Sequence, residues 1–199
     1  MDLFRADPGA NLLPYDGEAY YHGSLFDDGE CERILLALME EIPWAHDQTV
    51  MFGKRIVTKR KVAWFADGGI SYSYSGTVKR AHAWTDLLLE LKGSAESRTK
   101  AKYNSCLINL YHHGEEGMGW HSDDEKSIIA GSSIASLSFG AVRRFSFRHK
   151  ETKETVSLTL ENGSLLDMRG ETQRHWQHQL PKTKKVSEPR VNLTFRRMR

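Results

Sequence analysis

The stretch 190-RVNLTFR-196 alternates polar and apolar residues without a break. On a β-strand successive side chains point to opposite faces. One face therefore presents Arg190, Asn192, Thr194 and Arg196, and the other presents Val191, Leu193 and Phe195. An outer strand with its polar face in water has this pattern. So does a strand lining a pocket for an acid, because two guanidinium groups on one face match the two ends of a dicarboxylate.

Working back from this strand, the same period of two recurs at 105–111, 133–139, 142–148, 155–160, 163–168 and 174–180, between Gly, Asn, Pro or charged turns. Many short strands at such spacing predict an antiparallel sandwich or barrel. Ahead of them the period is helical. Cys31, Leu35, Leu38, Met39 and Ile42 form one apolar stripe, with Asp27 or Asp28 to cap it and Pro43 to stop it. Leu87, Leu88 and Leu91 predict a second helix over 85–91. Pro8, Gly9, Pro14 and Gly17 make residues 1–20 an irregular lead-in. The expectation is one α+β domain over 1–199, with N-terminal helices supporting a strand core at 104–199.

The 199 residues, 39% of them hydrophobic, suffice for one core that buries roughly 70% of the unfolded surface. No run of 18 apolar residues predicts a membrane span. The N-terminus is acidic and lacks a basic-then-apolar signal pattern. Two cysteines, Cys31 and Cys106, without metal-type spacing argue against a disulfide framework and make a reducing compartment the expectation. That compartment is the cytoplasm in a bacterium and the nucleus or cytoplasm in a eukaryote, and a monomer is expected. The net charge is +2, but residues 54–61 (KRIVTKRK) carry five basic residues in eight, and Lys79–Arg80, Arg143–Arg144 and 182–185 add more. Such runs are commonly solvated faces; several on a near-neutral chain also fit a polyanionic partner.

Chemistry enters at 121-HSD-123. In extended chain His121 and Asp123 point to one side. A second histidine would complete a two-His-one-carboxylate face, which leaves three positions for a co-substrate and dioxygen on Fe(II). Surface histidine is the plainer explanation of an HxD alone. Of the nine histidines, His149 lies in the charged turn RHKETK and reads as solvated. His178 shares a face with Trp176 and Leu180 and so points inward, while His175 points outward; spacing favours His178. In Ser105–Tyr111, Asn109 and Tyr111 share a face with Leu107, either as satisfied core groups or as part of an anion pocket.

At these residues the chain resembles a known family. NLY, WHSDDE, SIASLSFGAVRRFSFRHK, GSLLDM, WQHQLPK and EPRVNLTFR occur in the order found in the AlkB family of nucleic-acid dealkylases, and the similarity runs over 50–199. The resemblance implies a double-stranded β-helix (jelly-roll) core. It assigns Fe(II) to His121, Asp123 and His178. It assigns the carboxylate ends of 2-oxoglutarate to Arg190 and Arg196, with Asn109, Tyr111 and Asn192 assisting. The implied reaction uses O2 to convert 2-oxoglutarate to succinate and carbon dioxide while the alkyl group of a damaged base, such as 1-methyladenine or 3-methylcytosine, leaves as formaldehyde.

The same resemblance makes 50–76 the substrate-recognition hairpin region. Tyr74 and the His121 ring would sandwich the base, Tyr72 and Glu125 would bond its edge, and Glu125 would favour a cationic base. Alternating Ser and Tyr also describes an ordinary half-exposed strand. VMFGKR resembles the hairpin of duplex-acting relatives, with Phe52 as the wedge and Lys54, Arg55, Arg60 and Lys61 on phosphates. WHSDDE, YSYS and TQxxWQH are as similar to relatives preferring single strands and RNA. The expectation is repair of alkylated DNA, single- or double-stranded, with RNA as a further substrate. The alternatives are an RNA or protein oxygenase, and a metal-free or zinc-filled jelly roll that binds nucleic acid without turnover.

Overall fold

Asp27 starts the first helix with both halves of a capping box. Its carboxylate accepts from the Glu30 amide (2.8 Å), and the Glu30 carboxylate accepts from the Asp27 amide (3.0 Å). This helix, α1 (Asp28–Glu41), ends at Ile42, which is extended ahead of Pro43, as the proline ring favours. Its buried line is Cys31, Ile34 and Leu38. The expected Leu35 and Met39 are only half-buried at the edge, because the helix is rotated to put Ile34 against the sheet.

In this computed structural model residues 9–51, 54–68, 71–74 and 77–199 are described, with strand residues 47–51, 54–56, 71–74 and 77–80 described by backbone alone. Helix α2 (Asp86–Thr99) is capped by Thr85 and ends at Lys100 in the left-handed region. It runs a full two turns past the expected end. Buried Ala95 and Thr99 continue the line of Leu88 and Leu91, but their small or polar side chains give no apolar signal. Tyr103 follows, its hydroxyl bonded to Thr99 Oγ1 (2.8 Å) and Ser133 Oγ (2.7 Å).

The strands are β1 (Glu18–Ser24), β2 (Ala45–Met51), β3 (Lys54–Ala66), β4 (Ser71–Tyr74), β5 (Thr77–Arg80), β6 (Ser105–Tyr111), β7 (Met118–His121), β8 (Ile134–Gly140), β9 (Arg143–His149), β10 (Thr155–Leu160), β11 (Ser164–Arg169), β12 (Trp176–Leu180) and β13 (Arg190–Arg196). The last eight divide between two sheets: β6, β8, β11 and β13 in the larger, β7, β9, β10 and β12 in the smaller. This is the double-stranded β-helix expected from the resemblance, in a mostly antiparallel chain with few helices. The larger sheet, in order β1-β11-β8-β13-β6-β3-β2, is extended by the N-terminal strands, and the smaller runs β10-β9-β12-β7. Among the described residues β4 pairs only with β5.

Two differences from the sequence reading have simple causes. Residues 18–20, read as irregular, begin β1; EAYYHGS lacks a period of two because β1 is an edge strand that half-buries most of its residues. The segment 174–180 is strand only from Trp176, because Thr172–His175 form one helical turn, α3.

Burial explains the alternation in β13. Val191, Leu193 and Phe195 pack with Ile34, Leu38, Leu88 and Leu91 in a core between the larger sheet and the helices. A second core, with Tyr111, Phe145, Phe147, Met168 and Trp176, lies between the sheets. The polar face of β13 is therefore not in outside water. It is turned between the sheets, in the fourth of seven strands, and each buried apolar residue on its other face contributes about 1.5–3 kcal/mol.

Candidate functional site

Strand β7 lies at the edge of the smaller sheet beside β12, and the ladder sets His121 opposite His178. Both rings meet on the inner face, centroids 4.3 Å apart and 67° between planes. Asp123 follows two residues past His121, and ligand atoms of His121, Asp123 and His178 all lie within 4.8 Å of one another. Trp176, His178 and Leu180 share the buried face of β12, as the alternation predicts. His121 Nδ1 donates to the Gly119 carbonyl (2.8 Å), which leaves Nε2 as an electron-pair donor, 3.8 Å from Asp123 Oδ1.

Electrostatics ready these groups for a cation. Burial, reinforced by His121, lowers His178 to about 3, against the pull of Asp123. Burial alone would raise Asp123, but Arg196, His178 and His121 overcome it and hold the carboxyl at about 2. A neutral imidazole and an ionised carboxylate facing each other in a buried site fit a divalent metal ion. Phe145 stacks beside His178, ring centroids 5.5 Å apart and 23° between planes.

The polar face of β13 opens into the same cavity, about 630 Å³ in volume. Arg190 is 2% exposed and donates through Nη2 to Ser138 Oγ (2.7 Å). Its buried Nε and Nη1 have no partner among the described residues, and burial lowers its pKa to about 10, so it stays charged at neutral pH. Unsatisfied donors on a buried cation are costly; an acid arriving there would take them up. Tyr111 lies opposite Arg190 across the ladder and Asn109 opposite Asn192, so four of the five expected acid-binding residues form two facing pairs. Asn192 donates to Ser136 Oγ (2.8 Å) and the Leu137 carbonyl (3.1 Å). The fifth, Arg196, places Nη2 and Nε on Asp123 Oδ2 (2.8 and 3.2 Å). It thereby ties β13 to Asp123.

Arg60 was expected on a phosphate; instead it reaches into the cavity and donates from Nε to Asn109 Oδ1 (3.0 Å). The cause is its place on β3, which pairs with β6 and points alternate residues over Asn109. Glu125 lines the same cavity. Phe52 lies outside the described residues, as do the side chains of Lys54, Tyr72 and Tyr74. Sequence reasoning missed Ser136, Ser138 and Phe145; the two serines share the alternation of β8, which was read only as strand.

His149, expected in solvent, is 2% exposed. Its Nδ1 accepts from the amides of Glu151 (3.3 Å) and Thr152 (3.1 Å), and its ring packs on Tyr15 and Trp176. With His175 and Asp16 it makes a second group of possible metal-binding side chains. The two amides fix the hydrogen on Nε2, which faces Asp16 Oδ2 at 3.4 Å. That nitrogen has no free electron pair for a metal. His175, expected on an outward strand face, ends α3 instead and lies parallel to the His149 ring at 6.1 Å.

Two imidazoles and a carboxylate at one end of a double-stranded β-helix, beside a buried arginine with donors to spare, define a non-haem iron oxygenase that takes a 2-oxo acid. A model of the 2OG-Fe(II) oxygenase superfamily matches residues 18–196. The chain belongs to that superfamily and, within it, to the AlkB family. It is 38% identical over 202 residues to the DNA oxidative demethylase ALKBH2 of Mus musculus, covering 96% of this chain and 84% of that protein. Against ALKBH2 of Homo sapiens it is 39% identical over 204 residues, covering 97% and 78%. The alpha-ketoglutarate-dependent dioxygenase alkB homolog 3 of Homo sapiens is 39% identical over 180 residues, covering 85% of this chain and 62% of that protein. The solved structure of OsALKBH1 has the same fold, with a TM-score of 0.61 at 16% identity over 93% of this chain and 99% of that one. As a member of this superfamily the chain is a dioxygenase using Fe(II), 2-oxoglutarate and O2.

Proposed function

We propose that this enzyme removes alkyl groups from base nitrogens of damaged DNA, with 1-methyladenine and 3-methylcytosine as substrates. The observation that carries the reading is the single cavity shared by the His121–Asp123–His178 face and the unsatisfied donors of Arg190. The names of the relatives, DNA oxidative demethylase ALKBH2 above all, support the substrate class.

His121, Asp123 and His178 would hold the iron, which when bound supplies the oxidation of the alkyl carbon with O2 and 2-oxoglutarate. The chain's own residues bind, orient and exclude water. Arg190 and Tyr111 receive the carboxylate of 2-oxoglutarate farther from the metal. Arg196, already on Asp123, steadies the nearer end, and Asn109 and Asn192 bond its flanks. Glu125 and Arg60 lie along the same cavity, where Glu125 favours a base made cationic by methylation. From the resemblance alone, Tyr72 and Tyr74 contact that base, Phe52 fills the gap it leaves in a duplex, and Lys54 meets a phosphate.

Among the described residues no helix is long and apolar enough to cross a membrane. Cys31 and Cys106 are buried and unbridged; thiols suit a reducing compartment, and a monomer in the cytoplasm or nucleus remains part of the proposal. The test is formaldehyde and succinate release with Fe(II), ascorbate and 2-oxoglutarate. Oligonucleotides carrying 1-methyladenine are supplied as single-stranded DNA, duplex DNA and RNA. Formaldehyde from either DNA supports the reading. Release from RNA alone moves the substrate to RNA, and none from any nucleic acid sinks the proposal.

A further inference from the structure

Of the three residues on the metal face, two are held by β-ladder pairing. His121 and His178 sit opposite each other in β7 and β12. Asp123 lies beyond the end of β7, where no strand partner among the described residues holds its backbone. Its amide still needs an acceptor, because the residue is buried. That acceptor is a side chain: Asp123 N donates to Gln173 Oε1 at 2.9 Å.

Gln173 is itself well fixed. The preceding Thr172 anchors α3 through its hydroxyl, which accepts from the Glu18 amide (2.8 Å) and donates toward the Glu18 (2.9 Å) and Arg169 (2.6 Å) carbonyls. The Gln173 carbonyl accepts from Lys150 Nζ (2.9 Å). Its Nε2 points at Met168 Sδ (3.6 Å). An amide donor can face only an acceptor, so the carboxamide has one usable orientation, oxygen to Asp123 and nitrogen to sulfur. One residue earlier Ser122 Oγ donates to the Trp176 carbonyl (3.0 Å). The segment carrying His121 and Asp123 is thus stitched twice to the segment leading into His178.

We propose that Gln173 is a positioning residue for the metal centre: it sets the reach of the Asp123 carboxylate toward the ion. Arg196 pulls on Oδ2 of the same carboxylate from the opposite strand system, so the backbone anchor decides how far that pull can displace it. Groups one step behind metal ligands typically matter by 10–100-fold in affinity. The inference rests on the metal assignment but can fail separately from it.

The experiment is titration of the metal-free protein with Co(II), following its visible absorption bands, with thermal melting of the same metal-free samples. We expect Q173M, which keeps the length and loses the acceptor, to bind Co(II) about tenfold more weakly with altered bands. Q173E, which keeps an acceptor oxygen at the same reach, should stay within about threefold of the unsubstituted protein. Equal affinity in Q173M, or an equal loss in Q173E, overturns the role. Should Q173M not fold, Q173N withdraws the acceptor by one methylene and carries the same two readings. If H121A leaves Co(II) binding unchanged, it is the metal assignment that fails instead.

Discussion

Arg196 and Asp123 form a buried, two-pronged ion pair, both Nε and Nη2 resting on one carboxylate oxygen. Asp123 Oδ1, the other oxygen, is the one nearer His121. The guanidinium occupies one side of the carboxylate and leaves the other side to the metal face. Removing it should weaken the centre as well as the acid site. R196M is expected to lower Fe(II)-dependent succinate formation by at least tenfold and to raise the Co(II) dissociation constant. Unchanged Co(II) affinity would show that the ion pair serves 2-oxoglutarate alone.

The loss of His178 leaves one imidazole and one carboxylate, too few to hold the ion in place. H178A should reduce succinate formation by more than about 100-fold, since metal-binding side chains act as a unit. Turnover within a few-fold of the unsubstituted enzyme would mean that another histidine completes the site.

Among the described residues two buried donor atoms of Arg190 have no partner, and lysine cannot reproduce a planar fork. R190K is expected to raise the KM for 2-oxoglutarate by tenfold or more while changing the apparent KM for the oligonucleotide little. Steady-state assays varying each substrate separately would check this. Comparable changes in both constants would assign Arg190 to the whole cavity instead of to the acid.

The resemblance of VMFGKR to the sequence of duplex-acting relatives makes Phe52 the proposed wedge. F52A should cut demethylation of a duplex by about tenfold and of the matched single strand by less than about threefold, since a vacated stack must be refilled only in the duplex. Equal losses on the two substrates would reject the wedge.

Alkaline pH should unfold the protein through Tyr103 and Cys106. Burial pushes the Tyr103 hydroxyl up to about 12, against its bonds to Ser133 and Thr99 and an ordinary value of 10.0. Burial also pushes the Cys106 thiol far above its ordinary 9.0. The unfolded chain therefore gives up these protons first. Stability is fully present below pH 9 and declines as pH rises through 9 to 12. Melting temperatures between pH 8 and 11 should fall, and C106A should flatten the first part of the decline; an unchanged slope would remove Cys106 as its source.

Some of this molecule was written plainly in its residues. Strand β13 alternates across all seven positions because one face meets a helix-backed core and the other a polar cavity. Any segment under both demands shows a clean period of two. His178 was legible for the same reason, since Trp176 and Leu180 mark the inner face of β12. The second half of α2 was not, because Ala95 and Thr99 are buried without being strongly apolar. His149 misled through its charged neighbours. In a tight turn the side chains face water while the backbone amides turn inward, and those amides hold the ring. Gln173 was out of reach as well: a side chain that serves a distant backbone amide leaves no periodic trace.

The place of β13 has a further consequence. Both neighbours, β8 and β6, bond it along its length, so its amides lie among the last that local opening can reach. The strand β7, with a neighbour on one side only, lies among the first. The Arg196–Asp123 ion pair therefore joins a slow-exchanging region to a fraying margin. When an ion is bound, the margin should inherit the protection of the interior, and amide exchange at residues 118–123 becomes a direct gauge of occupancy.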